Sequence, residues 1–574
     1  MLDKLAVADA LREIGKLLEL QGENPFKVRA YEAGARAVDG LSEDLDTLVA
    51  EARLTEIPGI GKALAEKIAQ LYTTGRVDLL ERLRGELPPG FPELLRVPDL
   101  GPRKIAALHA ALGVASVAEL KAACEAGRVR EVRGFGEKTE KKILDGIRRL
   151  ETRPQRTLLS EARAAAEALV AYLRSSGLAG AVEVAGSVRR WKETVGDLDV
   201  VAASRKPREL SAWLAAWPRV EQLVARGDTK TTVRLIGGLS VDLRVVLPED
   251  YATLLHHLTG SKAHHVKLRG LARERGYTLS EWGLARLSDG SKVRARREED
   301  IYRTLGMQMI PPELREDEGE IEAALAHALP AGLVEEEDLR GMVHVHTTWS
   351  DGHATLEEMA RAAEAMGMGY LTVTDHSRSA AYAGGLDAAR LESQWEEMAR
   401  VQEKVKIRLL RGTEADILDS GLLDWPDAVL ERFDVVIASV HSRMKMDAEQ
   451  MTRRLVRTME LPIFKIWGHA TGRLLLEREP YGLDMDRVLD AAAASRVAVE
   501  VNGDPHRLDM EPRHLRMARE RGIPIVLSTD AHSVAGLSNL PYAVMTARRA
   551  WVTRGEVLNT LPATEFAAKV RPAA

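Results

Sequence analysis

From Met342 onward, short apolar runs alternate with helix-length amphipathic segments seven times over. The runs are MVHVH, YLTVT, IRLLRG, DVVIASV, IFKIWG, VAVEVN and PIVLST. Parallel strands need a long crossover between them, so this alternation predicts a parallel sheet. Seven units in succession predict a closed (β/α)7-type barrel over residues 338–574, with its chemistry at the C-terminal strand ends.

Polar residues gather where those runs stop. His344 and His346 alternate on the first run and so face one side, and Asp351 follows in the loop. The second run ends in Thr374-Asp375-His376-Ser377, the third in Glu414-Ala415-Asp416, the fourth in His441, the fifth in His469 and the seventh in Asp530-Ala531-His532. Nine of the 15 histidines lie after residue 340. Imidazoles mixed with carboxylates suit Zn²⁺ or Mn²⁺, and this many suit a cluster of two or three ions. Cys124 is the only cysteine, which removes both intrachain disulfides and thiolate metal sites.

The first 150 residues read as helices punctuated by Gly and Pro. Three segments share one pattern: LTEIPGIGKALAEKI, LLRVPDLGPRKIAAL and VREVRGFGEKTEKKI. Each turn ends in glycine (Gly59-Ile60-Gly61, Asp99-Leu100-Gly101, Gly134-Phe135-Gly136) and opens a helix beside Lys62, Arg103 and Lys104, or Lys138. Such a turn brings backbone N–H groups and positive charge to a phosphate. The three resemble helix-hairpin-helix motifs, which grip the DNA backbone without reading sequence; a monovalent cation there is a candidate ligand. Net charge is −5, but residues 101–150 carry 11 basic against 6 acidic side chains, and 251–300 carry 10 against 6. These are the candidate phosphate-facing windows.

Between lies GSVRRWKETVGDLDVV. Asp197 and Asp199 are two apart at a strand start, so both carboxylates face one side, and Asp242 in VDLRVVL supplies a third from a strand suited to lie alongside. Three such groups are tolerable around divalent metal, here Mg²⁺, which supports nucleotidyl transfer. Gly186 and Ser187, then Arg189 and Arg190, offer donors for a triphosphate, with Gly196 in the turn before the aspartates.

These residues resemble the X family of DNA polymerases, the group that contains DNA polymerase beta. HHLTGSKAHHVKLRGLARERGYTLSEWGL (256–284) resembles that family's thumb segment, with Thr259, Gly260, Ser261 and Lys262 toward the nucleotide. His257-Leu258 replaces the family's aromatic pair, and His265 stands where an Asn is common. The resemblance implies an N-terminal lyase-like helical domain (1–85), fingers (86–150), a palm (151–250), a thumb (251–320) and a linker (321–337). Lys67 matches by position the Schiff-base lysine of some relatives; the alternative is a solvated helix lysine.

The late histidines resemble the PHP (polymerase and histidinol phosphatase) domain through VHVHTTWSDG, TDHS, SVHS, GHATGR and STDAHS. That resemblance implies nine ligands, His344, His346, Asp351, His376, Glu414, His441, His469, Asp530 and His532, with Glu414 bridging. Arg473 is a candidate phosphate clamp, or equally a salt-bridged residue. Met342 replaces an Asp frequent in relatives.

End to end, the chain resembles bacterial X-family polymerases with this fused domain. Gap-filling synthesis on gapped or primer-template DNA from deoxynucleoside triphosphates is the implied activity. A 3′→5′ exonuclease, and a candidate endonuclease at abasic sites, would reside in the C-terminal part. With no bilayer-length apolar run, a cytoplasmic monomer is expected. The alternatives are a nuclease or phosphatase whose first half only holds DNA, a silent C-terminal domain that merely stabilises the polymerase, and a non-enzymatic adaptor.

Overall fold

The computed structural model describes residues 4–39, 45–57, 59–74, 77–88, 90–95, 97, 100–152 and 156–572. The chain forms two compact units, Met1–Gln155 and Arg156–Ala574.

The first unit is helical. Leu11, Ile14, Leu17 and Leu18 of the helix Lys4–Leu20 are buried at i, i+3 and i+4 spacing and anchor its core. The three glycine turns share one backbone hydrogen bond. In each, an apolar residue tucks inward and donates its N–H to the carbonyl three residues back: Ile60 to Ile57 at 3.0 Å, Leu100 to Val97 at 3.1 Å, Phe135 to Val132 at 2.9 Å. Gly61, Gly101 and Gly136 then cap the next helix, each carbonyl accepting its first N–H. Gly59 and Gly134 hold φ of +89° and +91°, which favours glycine there. Asp99, the matching residue of the middle repeat, lies outside the described residues.

The second unit begins with a small ribbon, β1 (Thr157–Leu158) against β3 (Thr194–Val195). A five-stranded sheet follows, built from β2 (Ala181–Val184), β4 (Asp197–Ala203), β5 (Val220–Arg226), β6 (Lys230–Leu235) and β7 (Ser240–Val246), in the order β2-β4-β7-β6-β5. Only β4 and β7 pair in parallel among these neighbours. Alternation on β4 sends Val200 into a core with Leu169 and Leu210 of two covering helices, and Val201 against Leu254 and Leu255 of the helix Tyr251–Thr259. A three-stranded antiparallel sheet, β8 (Tyr277–Ser280), β9 (Gly283–Arg286) and β10 (Lys292–Val293), comes next.

The barrel strands are β11 (Gly341–Val345), β12 (Tyr370–Val373), β13 (Arg408–Asp416), β14 (Val435–Ser439), β15 (Lys465–Trp467), β16 (Val497–Asn502) and β17 (Ile525–Ser528), parallel and in chain order. All seven expected runs are strands. A bridge between Val345 and Ala531 joins the two ends, with the His346 N–H donating to the Ala531 carbonyl at 2.9 Å.

The acidic stretch 311–338, which spans the expected linker (321–337), is tied to the barrel by ion pairs. Glu313 is buried against Arg548 at 2.7 Å, Glu318 meets Arg516 at 2.8 Å, and Asp338 meets Arg554 at 3.4 Å. Arg315 is fully buried and pairs with Glu298 at 2.7 Å. The acidic run is composed to meet barrel arginines, which sequence composition alone reads as solvated charge.

Candidate active sites

In the five-stranded sheet, β4 and β7 run in a register that sets Asp199 directly opposite Asp242, with Asp197 two residues along on the same face. Burial, then the neighbouring Asp197 and Asp242 charges, push the Asp199 carboxyl up to about 6. Asp242 is restrained from the next strand: the Thr232 hydroxyl donates to it at 2.5 Å and Lys230 Nζ lies at 2.8 Å. Gly186 adopts φ +60°, and a Cβ there would strike the Asp199 carboxylate. Its role is to leave room for that aspartate as much as to approach a phosphate.

The neighbouring donors are largely engaged. Arg190 donates to Glu316 at 2.9 Å and to the Thr259 carbonyl at 2.5 Å, and Arg189 to the Thr259 hydroxyl at 2.7 Å and to Glu298 at 2.6 Å. Both arginines therefore tie the Gly186–Arg189 helix to the segment after β7, rather than projecting free guanidiniums toward a triphosphate. Thr259 is fully buried in that tie. Ser261 caps the helix Lys262–Glu274, its hydroxyl accepting from the His264 N–H at 3.2 Å. His265 is buried, its Nε2 lying 2.9 Å from His257 Nδ1, and burial followed by the neighbouring imidazoles lowers it to about 3. Ser187 and Gly196 remain partly exposed near the aspartates, and Gly260 and Lys262 are accessible at the turn.

In the first unit, no atom lies close to where a Cβ would stand on Gly59, Gly61, Gly101, Gly134 or Gly136, so each turn is open. Lys62 and Lys138 are exposed beside them, while Arg103 meets Glu19 at 3.2 Å and Lys104 is partly buried. Lys67 donates to the Ala63 carbonyl of its own helix at 3.0 Å.

The strand ends of the barrel bring all nine expected residues together. Glu414 sits at the centre, buried, with ring nitrogens of His469 at 2.8 Å, His376 at 3.0 Å, His441 at 3.3 Å, His344 at 3.4 Å and His346 at 3.5 Å. Asp530 lies 3.3 Å from His346 and 3.4 Å from His344, and Asp351 3.4 Å from His532 and 3.6 Å from His376. Three overlapping groups can each hold an ion: His346, Asp351, His376 and His532; His344, His346 and Asp530; His376, Glu414 and His441. Several of these nitrogens, His344 Nε2, both of His346 and His376 Nδ1, are buried without a hydrogen-bond partner. Buried polar atoms converging on carboxylates yet unaligned for hydrogen bonding fit a shared cation. Burial disfavours the imidazolium forms, but Glu414 and Asp416 hold His441 at about 10, and Asp351 and Asp530 hold His532 at about 9.

Reading the sequence missed the residues that orient the ligands. Glu500, fully buried on β16, lies 2.5 Å from His344 Nδ1, accepts from the His469 N–H at 2.5 Å and from the Ser528 hydroxyl at 2.7 Å. Asp416 lies 2.5 Å from His441 Nδ1. A carboxylate on the far nitrogen of a ligand His fixes its tautomer. The sequence VAVEVN, with Glu500 and Asn502 as polar residues in a buried strand, was the available signal for Glu500. Arg473 is engaged as a salt-bridged residue: it donates to the Arg507 carbonyl at 2.8 Å, to Glu511 at 3.0 Å and to the Leu508 carbonyl.

Known proteins share these parts. Family models match for a helix-hairpin-helix domain at 3–77, a SAM-like helix-hairpin-helix tandem at 91–149, the DNA polymerase beta thumb at 254–316 and the PHP domain at 343–503. The DNA polymerase/3′-5′ exonuclease PolX of Bacillus subtilis is 37% identical over 552 residues, 96% of each chain. The chain belongs to the PolX family. Relatives of one part also occur: a probable phosphatase of Thermoanaerobacter sp. is 29% identical over 38% of this chain and 89% of its own length, and one of Syntrophotalea carbinolica 26% over 38% and 90%. As a PolX member the chain has helix-hairpin-helix DNA-binding elements, and its polymerase and PHP parts imply divalent metals. Among the described residues no single helix is long and apolar enough to cross a membrane.

Proposed function

We propose that this chain carries out two phosphoryl reactions on DNA: template-directed nucleotide addition at Asp197, Asp199 and Asp242, and 3′→5′ phosphodiester hydrolysis at the barrel cluster. The observation that carries the reading is the pairing of Asp199 with Asp242 across β4 and β7 in the same chain as the Glu414-centred cage. The substrates are gapped or primer-template DNA and deoxynucleoside triphosphates, and the chain works as a monomer in gap-filling repair. The region assignments are residues 1–85 and 86–150 for backbone grip, 151–250 as palm, 251–320 as thumb, 321–337 as connection and 338–574 for hydrolysis.

The palm aspartates would hold Mg²⁺ and the barrel residues Zn²⁺ or Mn²⁺; when bound, these ions supply Lewis-acid activation of a hydroxyl or water and charge neutralisation at phosphate. The protein's own contribution is placement. Thr232 and Lys230 fix the Asp242 carboxylate, Gly186 leaves space for Asp199, and Glu500 and Asp416 orient His344 and His441. The open turns at Gly59, Gly61, Gly101, Gly134 and Gly136, with Lys62, Arg103, Lys104 and Lys138, hold backbone phosphates, with a monovalent cation as a candidate ligand. Incision at abasic sites by the barrel is a second candidate activity. Lys67 gains no support as a lyase nucleophile, since its amine is bonded within its own helix.

Separation-of-function variants test this. D199A should abolish primer extension and leave 3′→5′ degradation, and H344A the reverse. Extension that survives both D199A and D242A would overturn the palm assignment, and degradation that survives H344A would overturn the barrel assignment.

A further inference from the structure

Two side chains beside the barrel cluster are left unexplained by metal binding. Tyr382 is 72% exposed, yet its ring centre lies 6.2 Å from that of His376 and 6.4 Å from that of His441. It is not at the tip of a loose loop. Ala380 and Ala383 on either side are buried, Ser379 donates its N–H to Asp424 at 3.0 Å, and Leu386 donates its N–H to the His376 carbonyl at 2.8 Å. A Cβ at Gly385 would strike the Ser377 carbonyl, so the return of this loop is packed against the strand end that carries His376. A large aromatic is thus held in water on a pinned base next to the ligands, where burial would ordinarily be favoured.

Arg507 is the second. It follows β16, and its Nε is buried without a hydrogen-bond partner, between Asp530 Oδ2 at 3.5 Å and Asp504 Oδ2 at 3.8 Å. Ring and guanidinium thus border one cluster, Tyr382 beside His376 and His441 and Arg507 beside Asp530.

A planar apolar face and a cation flanking one cluster match a planar group joined to a phosphate. A small phosphomonoester has nothing to lay on the ring. A paired terminal base is already stacked and cannot reach it without fraying, whereas an unpaired base can.

We propose that Tyr382 is a stacking platform for the terminal base of an unpaired DNA strand, and that Arg507 holds the phosphate next to it. This rests on the hydrolytic reading of the barrel given above, and it assigns two substrate-contacting side chains to that site.

The test uses the full chain with Mn²⁺ and two 5′-labelled single strands, one ending in 3′-thymidine and one in a 3′-terminal tetrahydrofuran residue that lacks a base. Wild type should cut the base-ended strand about tenfold faster in kcat/KM, the scale of one base–aromatic stack. Y382A should lose that preference by slowing on the base-ended strand alone, and Y382F should keep it. R507A should slow both strands alike, with R507K recovering part of the rate. A metal-free readout accompanies these: with EDTA, a 3′-terminal 2-aminopurine should be quenched on binding wild type and Y382F, and less on Y382A. An unchanged preference and unchanged quenching in Y382A would overturn the platform; an R507A rate equal to wild type would overturn the clamp. If wild type cuts neither strand, the hydrolytic reading itself fails and the proposal with it.

Discussion

Arg549 of the barrel reaches into the loop that precedes the palm aspartates, where its Nη1 lies 3.0 Å from Glu193 Oε1 and donates to the Trp191 carbonyl at 3.2 Å. Both partners are largely buried. Burial opposes the ionised carboxylate, but Arg549, then Lys192 and Arg473, outweigh it and hold Glu193 at about 2. Trp191 is fixed from its other side by Arg163, 3.9 Å over its ring, and by the edge of Tyr542. The polymerase loop and the hydrolytic barrel are thereby packed as one body, which no reading of either motif alone implies.

Breaking that pair should be costly. Removing one partner of a buried pair leaves the other charged and unpaired, typically about 3–5 kcal/mol. R549A should lower the Tm of this unit, and E193Q should lower it less, because the amide can still accept from Arg549. Since Glu193 is depressed below its usual 4.5, its stabilisation is complete above that pH and is lost as pH falls toward 2. Melting curves from pH 7 to 3 check both; an R549A melting profile superimposable on wild type would refute the coupling.

Asp199 carries the opposite sign. Its carboxyl is raised to about 6 without metal, first by burial and then by Asp197 and Asp242, so the ionised form destabilises the metal-free fold. Stability from this group is present below about pH 3.8 and is lost as pH rises through about 6. D199N should therefore raise the Tm of EDTA-treated protein at pH 7.5, by up to about 3 kcal/mol in stability, and change nothing at pH 3.5. The same variant should abolish primer extension. Added Mg²⁺ should raise the Tm of wild type but not of D199N.

Gly186 offers a steric check on the same site. Alanine there meets both a φ of +60° and the Asp199 carboxylate. G186A should reduce primer-extension kcat at least about tenfold, the equivalent of about 1.4 kcal/mol, while 3′→5′ degradation by the barrel stays at the wild-type rate. Equal losses in both assays would mean general unfolding rather than a displaced aspartate.

What the sequence revealed follows the range over which its signals act. The seven barrel strands were legible because each is a run of local apolar pattern, and the nine candidate ligands because the resemblance to the PHP domain implies them at the ends of those runs. The D-x-D pair was legible for the same reason: Asp197 and Asp199 share a face through period two alone. What stayed hidden depends on contacts distant in sequence. Glu500 supports His344 from 156 residues away, Glu313 meets Arg548 across 235, and Lys230 meets Asp242 only because β6 lies beside β7. The surroundings of Arg190 and His265 stayed hidden because a motif records which residue is present, whereas Glu316, Thr259 and His257 decide where its polar atoms point.

Glu500 gives the sharpest prediction about the barrel. It contacts His344 Nδ1, the His469 N–H and the Ser528 hydroxyl at once, and Asn502 in turn donates to Asp530 at 3.1 Å. Burial would raise its carboxyl, yet its interaction with His344 outweighs that and holds it low, so it is an anion at neutral pH. E500Q keeps the shape but removes the charge that favours a His344 tautomer with its proton on Nδ1 and its lone pair turned toward Glu414 and Asp530. Loss of such a partner costs about 10–100-fold in metal affinity or activity. Zinc and manganese content after dialysis and the rate of 3′→5′ degradation should both fall by that order in E500Q, with primer extension unchanged. Full metal content together with full hydrolysis would show that His344 is held by its strand alone.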